Sequence, residues 1–264
     1  MYSFNYRKAS SVADAAGALA SNPDAKLLAG GQTLIASMKL RLASPSDLID
    51  LRDVAELRGI KAEAGTVTIG AMTRHAEVAA SMEVRKAIPA LARLAGGIGD
   101  RMVRNMGTLG GSVANSDPAA DYPAALLGLA ATVNTNRRKI AADQFFTGMF
   151  ETALQAGEII TSVSFPVPKR AAYMKFNNPA SRYAIVGVFV AKTKGGVRVA
   201  VTGAGPCVFR VPEMEKALAS KFSPDAVANI KVPATNFNSD IHASADYRAH
   251  LVTVMAKRAV AAAG

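Results

Sequence analysis

A single cysteine, Cys207, stands among 264 residues. One thiol cannot close an internal disulfide, and alone it cannot hold an iron–sulfur cluster or a cysteine-rich zinc site. A reducing, cytoplasmic setting is therefore expected. Tryptophan is absent and aromatic residues make up only 6% of the chain, which speaks against a carbohydrate groove or a base-stacking platform. No apolar run reaches the length of a membrane span. Met1–Lys8 carries no hydrophobic stretch behind its basic residues, so no signal peptide is expected. Acidic residues are the minority, 20 against 31 Lys and Arg, for a net charge of +11. The excess is diffuse: residues 181–264 hold 11 basic and 5 acidic residues, and Arg137-Arg138-Lys139, at a hairpin tip, is the one basic triplet. That pattern fits a solvated surface or a dock for an acidic protein better than nucleic acid. Neither G-x-G-x-x-G nor G-x-x-x-x-G-K-[ST] occurs; Gly203-Ala204-Gly205 lacks the third glycine and runs into Pro206.

Half the residues are apolar, enough for a substantial core arranged as two or three lobes. Ser10 or Ser11 can cap a helix through Val12, Ala15, Ala16 and Leu19, which Asn22-Pro23-Asp24 ends. Lys26–Ala29 reads as a short strand. A helix through Leu34, Ile35, Met38 and Leu42 follows, stopped by Pro45, and Leu48–Leu51 reads as the next strand. This order suggests a small parallel unit. Next, Gly59–Glu63 and Thr66–Gly70 form a hairpin, Thr73 caps a short helix, and a longer helix covers about 84–94. A glycine-rich stretch spans 96–112, and a helix covers 123–129. Ala131–Asn134 pairs with Lys139–Ala141, and 158–167 is a strand. Beyond Pro166–Arg170, two strands, 184–193 and 197–203, meet at Lys194-Gly195-Gly196. Helices cover 214–219 and 246–260, the last packing Tyr247, Leu251, Val254 and Arg258 on one face. Domains are expected at 1–170, with subdomains of about 1–55 and 56–170, and at 171–264.

Two glycine-rich segments carry the functional signal: Leu28-Ala29-Gly30-Gly31-Gln32-Thr33 and Thr108-Leu109-Gly110-Gly111-Ser112. Paired glycines tolerate φ > 0 and clear side chains away, so successive amides can converge on an anion. Brought together, two such segments could hold the two phosphates of a dinucleotide. Each alone reads as a turn, and Gln32 and Thr33 alone read as helix caps. No acid–base pair or nucleophile stands out, so no catalytic residue and no metal ligand is expected in this chain.

The stretch from Gly107 through Tyr122-Pro123 resembles the second FAD-binding segment of the molybdenum hydroxylase flavoproteins, and Lys26–Ile35 resembles the first. The resemblance extends over essentially the whole chain. Within this xanthine dehydrogenase and carbon monoxide dehydrogenase family it is stronger to the stand-alone medium subunit, as in the carbon monoxide dehydrogenase group, than to the flavin domain inside a long xanthine dehydrogenase chain. It implies an α+β architecture with a vanillyl-alcohol-oxidase-type FAD-binding fold of two α/β subdomains, plus a C-terminal antiparallel sheet with helices. It also implies an oxidoreductase subunit that carries electrons through FAD and is inactive alone on the organic substrate. The implied partners are a large molybdopterin-binding subunit and a small [2Fe–2S] subunit, in a dimer of heterotrimers.

Carried over position by position, the resemblance implies that Lys26, Leu27, Leu28, Ala29, Gly30, Gly31, Gln32, Thr33 and Leu34 wrap the pyrophosphate. Ile98 and Gly99 would approach the flavin or its ribityl chain. Gly107, Thr108, Gly110, Gly111 and Ser112 would form the second cradle. Asn115, Ala120 and Asp121 would sit by sugar or ribityl hydroxyls, and Ile159 and Ile160 by the adenine. Lys175 corresponds to a family lysine near the flavin ring. Taken alone, Asn115 could close a turn, Asp121 could cap a helix, Ile159 and Ile160 are strand core, and Lys175 is a surface lysine. Cys207 reads as buried and inert, and the three histidines as structural or exposed. Relatives often carry His-Ser where this chain has Gln32-Thr33. Nothing matches a cysteine insertion for a further cluster or a covalent flavin link. The alternatives are a nucleotide-binding scaffold without redox activity and a stand-alone flavin oxidoreductase.

Overall fold

The computed structural model describes all residues, 1–264. The chain opens with β1 (Asn5–Lys8), α1 (Val12–Ser21), β2 (Lys26–Leu28), α2 (Leu34–Lys39) and β3 (Asp47–Asp50). β3 lies between β1 and β2, parallel to both. The Ser11 side chain accepts the Asp14 N–H and caps α1. α2 ends at Lys39, earlier than the apolar spacing suggests. Arg41 turns left-handed at φ +60, and Leu42 faces solvent.

The middle of the chain supplies β4 (Ile60–Glu63), β5 (Thr66–Gly70), α3 (His75–Ala80), α4 (Met82–Ala87), α5 (Pro89–Gly96), α6 (Arg101–Met106), α7 (Leu109–Asn115) and α8 (Tyr122–Gly128). It continues through β6 (Thr132–Thr135), β7 (Lys139–Ala141), β8 (Phe146–Gly148), β9 (Glu151–Thr152) and β10 (Ile160–Pro166). β10 runs antiparallel to both β5 and β6, giving a five-stranded order β4-β5-β10-β6-β7. Three expectations change here. The single helix at 84–94 is two, because Pro89 has no N–H to continue α4 and instead starts α5. Thr73 caps nothing; its hydroxyl donates to the Gly59 carbonyl, and Glu77 closes the start of α3 by accepting the Arg74 N–H. The glycine-rich stretch holds two short helices, α6 and α7.

The last part holds β11 (Arg170–Asn177), β12 (Ala184–Thr193), β13 (Gly196–Thr202), β14 (Phe209–Arg210), α9 (Pro212–Ser220), α10 (Pro224–Val227) and α11 (Ala245–Ala262). The strands form one antiparallel sheet in sequence order. Both faces of β12 are buried, which explains its unbroken apolar run. Val186, Val188 and Val190 join a core beneath α11. Phe189 and Ala191, pointing the other way, join the main core with α8. The inward stripe of α11 is Arg248, Leu251, Val252, Met255, Ala256 and Ala259. Tyr247 and Arg258 lie at its exposed rim, a correction of about one residue in the angular position of the face. No helix is long and apolar enough to cross a membrane.

A cofactor cleft between two glycine segments

The two glycine segments touch. A Cβ on Gly30 would lie 2.2 Å from the Met106 carbonyl oxygen and 2.7 Å from Gly107 Cα. Gly31 has φ +70, which turns the chain from β2 into α2. The N–H groups of Gly30, Gly31, Gln32 and Thr33 donate to no backbone carbonyl. Gly30 and Gly31 are partly buried and Gln32 and Thr33 exposed, so these amides are open to solvent or to a bound anion.

The second segment is built differently. Leu109 N–H donates to the Thr73 carbonyl, Gly110 N–H to Ala71 and Ser112 N–H to Thr108. Gly111 N–H goes to the Thr108 hydroxyl, which caps α7. These amides are spent inside the chain, unlike those of the first segment. What the segment offers outward is close approach and side chains, including Ser112 and Asn115. Gly110 is required by packing, since a Cβ there would lie 2.5 Å from Ala71 Cβ.

Around the contact lies a cleft of about 770 Å³, within the range of small-molecule and cofactor sites, about 300–1,000 Å³. Its wall includes Lys26, Leu27, Ala29 through Leu34, Ile98, Gly99, Gly107, Thr108, Gly110 through Ser112, Asn115, Ala120, Asp121, Ile159 and Ile160. The structure thus assembles segments far apart in sequence. It does not bring Leu28 or Lys175 to the wall. Leu28 packs in a small core with Met38 and Leu48. Lys175 is a buried ion-pair partner of Asp121, at 3.0 Å. Asp121 makes no capping bond to α8; Tyr173 and Lys175 donate to its carboxylate instead. Burial pushes that carboxyl above the usual range, against the pull of Lys175 and Tyr173.

Further wall residues escape sequence reasoning. Arg182 and Tyr183 arrive from the turn between β11 and β12. Asp100 caps α6 by accepting the Val103 N–H, and Arg104 donates to the Ile98 and Gly99 carbonyls, fixing that edge. His75 is buried against Gly107, with its ring centroid 5.4 Å from that of Tyr122. Its Nδ1 has no partner, and burial with the nearby Arg104 charge lowers its pKa to about 4. No sequence motif marks these residues. Cys207 is half-buried, and burial raises its thiol pKa.

Glu158 is part of the wall beside Ile159. Its carboxylate accepts from Arg138, Thr135 and the Gln155 N–H. Those bonds, Arg138's first, hold its pKa at about 2, below the ordinary 4.5. Its stabilising contribution is therefore complete above pH 4.5 and lost as pH falls from there toward 2. Glu158→Gln is expected to lower the urea midpoint at neutral pH and to flatten its fall across that acid window. An unchanged acid limb in the variant would count against this assignment.

The residues present suit FAD: a cleft of cofactor size, amides without a protein partner where a phosphate would rest, hydroxyl and amide side chains in the wall, and apolar Ile159 and Ile160 among its lining. Comparisons with known proteins agree. Residues 2–168 match the model for the FAD binding domain in molybdopterin dehydrogenase, and residues 171–263 that for the CO dehydrogenase flavoprotein C-terminal domain. The chain is 37% identical to the nicotine 6-hydroxylase medium subunit of Paenarthrobacter nicotinovorans, across 98% of this chain and 96% of that one. It is 35% identical to the carbon monoxide dehydrogenase medium chain of Hydrogenophaga pseudoflava, with the same coverage. Superposed on the structure of reconstituted CO dehydrogenase from Oligotropha carboxidovorans it gives a TM-score of 0.91 at 33% identity, covering 99% of this chain and 98% of that one. The chain therefore belongs to the FAD-binding medium subunits of the molybdenum hydroxylase family, as an oxidoreductase flavoprotein subunit.

Proposed function

We propose that this chain is the electron-transfer flavoprotein subunit of a molybdenum-containing hydroxylase or dehydrogenase. It would take electrons from [2Fe–2S] clusters on a small partner subunit and pass them to an external acceptor. A large molybdopterin-binding subunit would handle the organic substrate, in a dimer of heterotrimers in the cytoplasm. Within the isolated chain, no group of three or more His, Cys, Asp or Glu could hold a metal ion.

The row of unpartnered amides from Gly30 to Thr33 carries this reading. Those amides would receive one phosphate, with Lys26, Leu27, Ala29 and Leu34 framing the approach. Thr108 and Ser112 would face the other phosphate, and Gly107, Gly110 and Gly111 let their backbone come close. Asn115 and Asp121, next to Ala120, would hold hydroxyls of the ribityl or sugar. Ile159 and Ile160 would cover the adenine, while Ile98 and Gly99 would border the flavin end. When bound, FAD supplies the redox chemistry, exchanging electrons singly or in pairs. The chain's own residues bind it, orient it and exclude water from it.

The purified protein is expected to be yellow and to release FAD, not FMN, on denaturation. Gly111→Val is the sharper test. A Cβ there would lie 3.0 Å from the Thr108 hydroxyl and 3.5 Å from Ala29 Cβ, so the fold can adjust while the wall closes inward. Gly111→Val should keep its far-ultraviolet circular dichroism and lose most of its flavin. A full FAD complement in that variant would place the phosphates elsewhere.

A further inference from the structure

Lys175 lies outside the cleft wall, yet three separate parts of the molecule converge on it. Its side chain is only 7% exposed. Its ammonium donates to the Asp121 carboxylate, to the Gly97 carbonyl at 2.9 Å and to the Arg182 carbonyl at 2.9 Å. An ammonium has three hydrogens, and all three are used. Gly97 ends α5 and Asp121 opens α8, both in the part that carries the glycine segments. Lys175 lies in β11 and Arg182 in the turn that joins β11 to β12, both in the last part of the chain.

That turn needs holding. Arg182 has φ +62, a conformation unfavourable for a side-chain-bearing residue unless its surroundings enforce it. The turn is bonded within itself: Asn178 N–H donates to the Tyr183 carbonyl, Arg182 N–H to Asn178, and Ala180 and Ser181 N–H to the Asn178 side chain. Its residues Ala180 to Tyr183 form one side of the cleft. The Lys175 bond to the Arg182 carbonyl ties the turn to α5 and α8 through a single buried charge.

We propose that Lys175 is a positioning residue, a latch that pins the Asn178–Tyr183 turn against the cleft by joining the Arg182 carbonyl to Asp121 and Gly97. This rests on the FAD reading for its purpose, though not for its geometry. A simpler role, counter-charge to the buried Asp121, makes a different forecast. Removing one partner of a buried pair strands the other charge, whereas neutralising both relieves that penalty. A counter-charge is therefore dispensable once Asp121 is neutral. A latch is not, because the Arg182 and Gly97 carbonyls still lack their donor.

The test compares the full-length parent, Lys175→Met, Asp121→Asn and the double variant Lys175→Met with Asp121→Asn. Trypsin cleavage of the Arg182–Tyr183 bond in FAD-free protein reads the turn directly, since cleavage follows the open population. Both proteins carrying Lys175→Met should be cut there about tenfold faster than the parent, while the double variant recovers urea stability relative to Lys175→Met. If Lys175→Met does not fold, the double variant alone decides. Recovered stability together with parental cleavage would overturn the latch and leave a counter-charge. With FAD added, the visible circular dichroism of the bound flavin should differ between Asp121→Asn alone and the double variant, a comparison in which the loss of the Asp121 carboxylate is common to both. A parent that takes no FAD would sink the cofactor reading while the cleavage comparison still stands. A parent that binds FAD, with parental cleavage in the double variant and a flavin spectrum identical to that of Asp121→Asn, would sink the latch alone.

Discussion

Gly30→Ala is expected to strip FAD from the chain and to cost about 1–3 kcal/mol of stability, the usual range for overpacking. The new methyl would sit 2.2 Å from the Met106 carbonyl oxygen, 2.7 Å from Gly107 Cα and 2.8 Å from the Met106 carbonyl carbon. All three are backbone atoms, so no side chain can swing away. The segments must part, and the amides from Gly30 to Thr33 leave their place beside Thr108 and Ser112. Gly110→Ala provides the contrast. Its methyl would strike Ala71, against the end of β5, rather than the facing glycine segment. Its damage should fall on folding, with flavin loss only as a consequence. Flavin content by visible absorption, set against urea midpoints, separates the two variants. Gly30→Ala protein with a full FAD complement and a parental midpoint would show that the segments need not touch.

The second large effect is with pH. His75 is 4% exposed, and burial first, then the Arg104 charge, depresses its pKa from 6.5 to about 4. The unfolded chain binds a proton at this site near pH 6.5, and the folded chain does not until about pH 4. Stability from this residue is thus complete above pH 6.5, falls between 6.5 and 4, and has no further slope below 4. The shift corresponds to about 3 kcal/mol. Of the charges near the ring Arg104 repels a proton, and no carboxylate offsets it. His75→Gln should have a lower urea midpoint at pH 7.5 than the parent, because glutamine fills the space beside Gly107 less well. Its midpoint should then change much less between pH 6.5 and 4.5. A parent profile that is flat across that interval would refute the assignment. The Glu158 window lies lower, between 4.5 and 2, so the two limbs can be read separately.

Much of the fold could be read locally. The Lys194-Gly195-Gly196 signal marks the β12–β13 hairpin, and Ser11 marks the start of α1, because turn chemistry and capping act over a few residues. β1, β11 and β14 escaped notice. β1 is exposed along its length, and β14 has only two residues. Of β11, only Ala172 is buried, so little hydrophobic alternation marks it. The long helix at 84–94 failed because an apolar period continues across Pro89 while the backbone cannot. The angular error on α11 arose because Arg248 is buried. It donates to the Ile185 and Gly203 carbonyls and pairs with Asp240, a use for arginine that polarity alone hides.

By itself the sequence determined that two glycine-rich segments would be available for close backbone approach and that one cysteine could not hold a cluster. It also determined that the last part would be a hairpin sheet with helices. These follow from composition and from interactions between near neighbours. Only the tertiary structure decided that the Leu109 and Gly110 amides of the second segment are spent, because the Thr73 and Ala71 carbonyls claim them from the loop after β5. Only it placed His75 and Tyr183 in the wall and turned Lys175 away from the wall toward Asp121. Those positions depend on how strands distant in sequence pair and pack, and a carbonyl across a core leaves no trace in the residues beside the donor it will meet.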